Sequence, residues 1–182
     1  MPFEFTILDA LQALRCPALD TLAVFFDYAG AHGELWVAFS AVLLVFRRTR
    51  RAGLAMALAL GLYMLAGHCA LKPLFARPRP CDIQPAMLTL VARPHGWSFP
   101  SGHTASGFAA AFALWRQNRK LGVPALWLAA LIGFTRMYLY VHFPTDILGG
   151  IALGLALGVC GAVLADKVSN KWAKYSEVKR TV

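Results

Sequence analysis

Three short stretches of the chain carry side chains suited to binding and attacking a phosphorus centre. The first is Lys72-Pro-Leu-Phe-Ala-Arg77-Pro-Arg79-Pro80. Proline ends a helix and stiffens the chain that leaves it, so Lys72 and Arg79 point from a rigid exit. The second, Phe99-Pro100-Ser101-Gly102-His103-Thr104, precedes an apolar segment. A Ser-Gly pair at a helix start leaves backbone N–H groups open, and the helix dipole adds attraction for an oxyanion. The third is Thr135-Arg136, followed after five residues by His142 and after three more by Asp146.

Together these side chains read as a phosphoryl-transfer site. Arginine grips phosphate oxygens through paired N–H groups and lysine acts as a point charge. Lys72, Arg79 and Arg136 would therefore neutralise the charge spread over a pentacoordinate phosphorus. His142 would attack in line while Asp146 accepts its Nδ1–H, which leaves Nε2 as the nucleophile. His103 would protonate the leaving oxygen and then activate the water that hydrolyses the phosphohistidine. This is the logic of a serine triad with histidine attacking. No cofactor or metal is expected: three cations supply what magnesium would, and only Asp82 and Asp146 are acidic in these loops, too few for a hard metal ion.

These residues need elements that hold them at one edge of a bilayer. The chain of 182 residues is 58% apolar and only 15% charged, which excludes an ordinary soluble domain of this size. Apolar stretches at 29–46, 52–71, 102–115, 122–140 and 147–165 predict helices. Residues 18–28 are a short candidate for a sixth, with Asp20 and Asp27 against it. Residues 3–14 predict an amphipathic helix lying in the interface, with Phe3, Phe5, Ile7, Leu8, Leu11 and Leu14 available to lipid. The expected fold is all-α: a polytopic transmembrane helical bundle of five to six spans with an N-terminal interfacial helix, forming a single domain over 1–182.

The net charge of +9 falls into two populations. Arg47, Arg48, Arg50 and Arg51, then Arg116, Arg119 and Lys120, then Lys167, Lys171, Lys174, Lys179 and Arg180 each follow or precede an apolar segment, as cytoplasmic anchors do. Placing them in the cytoplasm sends loops 72–101 and 141–146 to the extracytoplasmic face together. The positive charge therefore serves the bilayer and an anionic lipid, not nucleic acid. Nothing at the N-terminus has the pattern of a signal peptide, so the spans are expected to direct insertion. Cys16, Cys69, Cys81 and Cys160 show no C-x-x-C pairing and predict no disulfide framework. Gly150, Gly154 and Gly158 form a stripe at four-residue spacing, read first as packing within the bundle and alternatively as a homodimer seam.

The pattern K-x6-RP, PSGH, then R-x5-H-x3-D resembles the signature of the type 2 phosphatidic acid phosphatase (PAP2) family. It is matched at Lys72, Arg79 and Pro80, at Pro100, Ser101, Gly102 and His103, and at Arg136, His142 and Asp146, within roughly residues 60–160. Thr135 departs from it, standing where the family usually has serine. The resemblance implies that Lys72, Arg79, Ser101, Gly102, His103 and Arg136 hold phosphate. It also implies that His142 is the nucleophile oriented by Asp146, that His103 is the general acid, and that no metal takes part. Small members of this length imply a membrane lipid substrate in the cytoplasmic membrane: undecaprenyl diphosphate is preferred because compact loops leave little to read a glycerol headgroup, with phosphatidylglycerophosphate and phosphatidic acid next. A phosphotransferase and a non-enzymatic membrane protein are the alternatives.

Other polar residues have plainer readings. Arg15 reads as an interfacial anchor. Asp27 and Glu34 mark where the first span meets water, with the groove border as the sharper reading. His68 reads as a packed bundle histidine, with the pocket wall as its alternative, and His32 and His95 as loop or interface residues. Arg77 and Arg93 match no motif and read as solvated loop cations, with a second phosphate or lipid headgroup as the alternative.

Overall fold

A computed structural model describes residues 2–30 and 33–181, with side chains to residue 172. His32 and the side chains of Lys174, Lys179 and Arg180 lie outside the described residues. Every regular element among the described residues is helical: α1 (Pro2–Gln12), α2 (Pro17–Gly30), α3 (Glu34–Val45), α4 (Arg50–Tyr63), α5 (Lys72–Phe75), α6 (Pro80–Ile83), α7 (Gly102–Gln117), α8 (Arg119–Tyr138) and α9 (Pro144–Thr181). A π-helical stretch, Met64–Leu71, joins α4 to α5.

The run Arg50–Ile83, α8 and α9 are each long and apolar enough to cross a bilayer, and α2 with α3, bent by 57°, pass the same test together. The expected segments are thus helical, but not all are spans by length alone. Helix α7 has 16 residues and rises only about 24 Å. It is the hub of the bundle, packed by α4, α8 and α9. Its sequence explains this position: Ala105, Ala109, Ala110, Ala111 and Ala113 are fully buried, and side chains this small let three helix backbones approach at once.

The glycine stripe of α9 is consumed by that contact. A Cβ on Gly154 would stand 2.6 Å from Phe108 Cβ and 2.7 Å from the Ala105 carbonyl oxygen, and one on Gly158 would stand 2.9 Å from the Ala109 carbonyl oxygen. The stripe packs inside one chain, which is the first of its two readings.

The two populations of charge sit at opposite ends of the bundle. Arg51 and Gln117 both donate to Asp166 Oδ1, at 2.8 and 2.7 Å, which ties together the start of α4, the end of α7 and the late part of α9. Lys72, Gly102, Arg136 and His142 converge at the other end.

Helix α1 is amphipathic, though with less of its apolar surface turned to lipid than its composition predicts. Leu8 is fully buried with Tyr140 and Phe143, and Phe5 packs edge-on against Phe143 at 5.3 Å. Phe3 and Leu14 remain exposed. Both aspartates that argue against a span at 18–28 have partners within α2's packing. Asp20 accepts from the Tyr138 hydroxyl and pairs with Arg15, and Asp27 pairs with Arg136. Arg15 is therefore not a plain interfacial anchor.

Candidate active site

Lys72 leaves the bundle at the end of the π-helical stretch. Pro73 has no N–H to give and crowds the carbonyl four residues back, and the wider π turn lies over that region. The chain then doubles back, and the carbonyls of the 96–97 turn collect the cations. Trp97 O accepts from Lys72 Nζ at 3.2 Å and from Arg79 Nη2 at 3.3 Å, and Gly96 O accepts from Arg79 Nε at 3.0 Å. Arg79 also donates from Nη1 to Val141 O, at 3.0 Å, and reaches His142 Nε2 at 3.1 Å. A guanidinium spread over four acceptors has one orientation, which fixes where its charge lies.

Helix α7 begins at Gly102, with Ser101 as its cap residue. A Cβ at Gly102 would stand 2.8 Å from the Tyr63 hydroxyl, so only glycine lets this helix start lie against Tyr63 with Lys72 Nζ next to it, 3.8 Å from the same point. Ser101 is fully buried and does not line the cavity. Its Oγ accepts from Thr104 Oγ1 at 3.0 Å, and its N–H donates to the Asp146 carbonyl at 3.1 Å. Thr135 spends its hydroxyl on its own helix, donating to Ile132 O at 2.7 Å.

The loop between α8 and α9 carries His142. Tyr140 adopts a left-handed backbone, φ 61°, which turns the chain sharply out of α8. His142 is 2% exposed, and its Nδ1 lies 3.5 Å from Asp146 Oδ2 and 3.4 Å from Ser98 Oγ. Burial holds its pKa well below the ordinary histidine value; the Asp146 contact pulls upward, while the charges of Arg79 and Arg136 push the same way as burial. The neutral ring carries its proton on Nδ1, facing Asp146, because Nε2 is the atom that accepts from Arg79. Asp146 is fully buried and well supplied with donors: Phe143 N–H at 2.8 Å, the Ser98 hydroxyl at 2.5 Å, and Arg77 Nη1 at 2.6 Å.

A cavity of about 650 Å³ has Lys72, Arg79, Gly102, His103, Arg136 and His142 in its lining. Asp146 stands behind His142 and Ser101 behind Gly102, neither lining the cavity. Arg136 is 1% exposed; its Nη1 pairs with Asp27, and its Nε is buried with no hydrogen-bond partner among the described residues. A buried donor left unmet costs about 1–3 kcal/mol, and Arg136 is among the residues that line the cavity. Asp27 Oδ1 also lies 3.9 Å from His103 Nε2, so Asp27 borders the groove and does not simply mark a water boundary. His68, Arg93 and His95 line the cavity too; Arg93 donates to Pro85 O at 2.7 Å. Away from the cations the cavity wall is apolar, with Val37, Leu60 and Met64.

Two participants escaped the sequence reading. Ser98 lies beside the PSGH stretch, and a lone serine in a loop gives no signal of its own. Arg77 was read as a solvated loop cation, yet its guanidinium is held by Asp146, Thr145 and Glu4 and stacks over the Phe143 ring at 4.2 Å. Its place in an Arg-Pro-Arg-Pro run was the available signal. Among the described residues, no group of three or more His, Cys, Asp or Glu is placed to hold a metal ion.

Residues 48–169 match the model of the PAP2 superfamily. The undecaprenyl-diphosphatase of Sulfolobus acidocaldarius is 29% identical over 153 residues, 84% of this chain and 73% of that protein. A decaprenylphosphoryl-5-phosphoribose phosphatase of Mycolicibacterium smegmatis is 33% identical over 152 residues, 81% of each chain. Among solved structures, the fold is similar to that of a transmembrane PAP2 type phosphatidylglycerolphosphate phosphatase from Bacillus subtilis. The TM-score is 0.71 at 29% identity, covering 93% of this chain and 86% of that one.

Proposed function

The chain belongs to the PAP2 superfamily, and from that membership together with the cavity we propose that it is a membrane lipid phosphatase acting through a phosphohistidine on His142. The observation that carries this reading is the single cavity that His142 and His103 line together with Lys72, Arg79 and Arg136. Its apolar end, with Val37 and Met64 exposed on the bundle surface, suits a substrate whose chains stay in the bilayer.

In this reading a phosphoryl group takes the N–H donors of Arg79 and Arg136 and the charge of Lys72. Arg79 Nη1 transfers its hydrogen bond from His142 Nε2 to a phosphate oxygen, which frees the lone pair for attack. The bond from phosphorus to the leaving oxygen breaks as the N–P bond forms, and His103 gives that oxygen a proton. Asp146 stabilises the charge that develops on the imidazole through Nδ1–H. Water activated by His103 then releases inorganic phosphate. Charge neutralisation rests on side chains, so the scheme asks for no metal.

The preferred substrate is undecaprenyl diphosphate, whose cleavage yields the monophosphate and inorganic phosphate. A relative named for that activity and the compact loops around the cavity support it. Placing the basic clusters in the cytoplasm puts the cavity at the extracytoplasmic face of the cell membrane. Purified protein given undecaprenyl diphosphate, phosphatidylglycerophosphate or phosphatidic acid in excess chelator should release phosphate, with the highest kcat/KM for the first. Product appearing without free phosphate, and only with an added acceptor, would make the chain a phosphotransferase instead. Full activity in His142→Ala would overturn the mechanism.

A further inference from the structure

We propose that α1 braces the loop that carries His142, and that Glu4 and Arg77 are positioning residues for the reaction. The inference rests on His142 being the nucleophile and Asp146 its partner. Arg77 splits its fork between two carboxylates, giving Nη1 to Asp146 Oδ1 at 2.6 Å and Nη2 to Glu4 Oε2 at 2.7 Å. The other oxygen of Glu4 takes the Thr145 hydroxyl at 2.6 Å and the Thr145 N–H at 3.4 Å, in the first turn of α9. Glu4 therefore sets both the arginine that holds Asp146 and the helix start that carries it.

Charge explains why the arrangement needs Glu4. An arginine directed at Asp146 alone would draw on the negative charge that His142 Nδ1–H requires. A second carboxylate shares that cation, so Asp146 is held in place with its facing oxygen still able to accept. The side chains of Glu4 and Arg77 are 12% and 15% exposed, so solvent does little to screen them.

The remaining contacts of α1 converge on the same loop. Tyr140, in its left-handed conformation two residues before His142, is a bulky residue in a region such residues avoid. Its ring packs with Leu8 and Phe5, and its hydroxyl donates to Asp9 Oδ1 at 2.9 Å. Burial and the neighbouring Asp9 push that phenol's pKa up, so it stays a donor. Gln12 Nε2 donates to Tyr138 O at 2.8 Å, at the end of α8. Phe3 of α1 and Leu14 just beyond it stay exposed, which suits a brace lying along the membrane interface.

The full-length protein in detergent, assayed with undecaprenyl diphosphate, tests this through a double-mutant cycle. Arg77→Ala should lower kcat roughly 100-fold and Glu4→Ala roughly 10-fold. KM and inhibition by inorganic phosphate should stay within about 3-fold, because neither side chain lines the phosphate cavity. The double variant should lose clearly less than the product of the two single losses, since part of what Glu4 does passes through Arg77. If Arg77→Ala does not fold, Arg77→Lys takes its place in the cycle with a smaller loss. Unchanged kcat in Glu4→Ala, additive losses, or a raised KM at normal kcat would overturn the brace. An inactive His142→Ala beside normal Glu4→Ala and Arg77→Ala would remove the brace alone; an active His142→Ala would remove the mechanism beneath it.

Discussion

At the scale of single residues, the proposed chemistry turns on which form of His142 the fold favours. A protonated imidazole has no lone pair on Nε2, so acid disables it. Burial, Arg79 and Arg136 all favour the neutral ring over the opposing pull of Asp146. The sign follows directly: lowering the pKa moves the disabling protonation to lower pH. The acidic limb of kcat/KM should therefore lie below the ordinary histidine value of about 6.5, as a pH–rate profile with an uncharged-headgroup detergent would read. Asp146→Asn keeps the shape but loses the charge that stabilises the imidazolium side of the reaction. It should lower kcat by at least about 100-fold with little change in KM. The eight candidate site residues could be named from residue type and spacing. Ser98 and Arg77 could not, because a single serine or arginine acquires meaning only when an oxygen of Asp146 lies within reach.

Among the elements, α7 and α9 carry the fold, and small side chains set their separation. At Gly154 a methyl group would meet Phe108 Cβ at 2.6 Å and the Ala105 carbonyl at 2.7 Å, atoms fixed to the α7 backbone that cannot swing aside. Gly154→Ala should cost about 1–3 kcal/mol of stability, measured as a lower thermal midpoint in detergent, without a change in oligomeric state. Since Gly150 also packs against Thr104 and the Ser101 carbonyl, the same seam sets the start of α7 against the Asp146 end of α9. A bulkier stripe should thus reduce activity along with stability. The stripe itself was plain in the sequence; that its partner is α7 of the same chain was not, because small-residue spacing does not say which helix approaches.

For the whole molecule, the charge placed at two ends supports the proposed orientation. Asp166 gathers Arg51 and Gln117 at one end, and the cavity occupies the other. Cys81 is fully buried and cannot report which end faces out, whereas Leu88, in the loop beside the cavity, is 82% exposed. In a background with the exposed Cys16, Cys69 and Cys160 changed to alanine, Leu88→Cys should react with an impermeant maleimide on intact cells. Arg48→Cys should react only after permeabilisation. The reverse pattern would place the cavity in the cytoplasm.

What the sequence determined by itself was local: helical apolar runs, cations and histidines at fixed spacing, and charge segregated along the chain. Periodicity and spacing are properties of neighbours in the polymer, so they survive without coordinates, and the PAP2 resemblance rests on them. The tertiary structure decided the rest. It turned Ser101 away from the cavity, placed Asp27 within reach of Arg136 and His103, and laid α1 over Tyr140 and Phe143 so that Glu4 reaches Arg77. Those outcomes join residues up to 141 positions apart, and a contact of that kind depends on how helices pack, which no local pattern encodes.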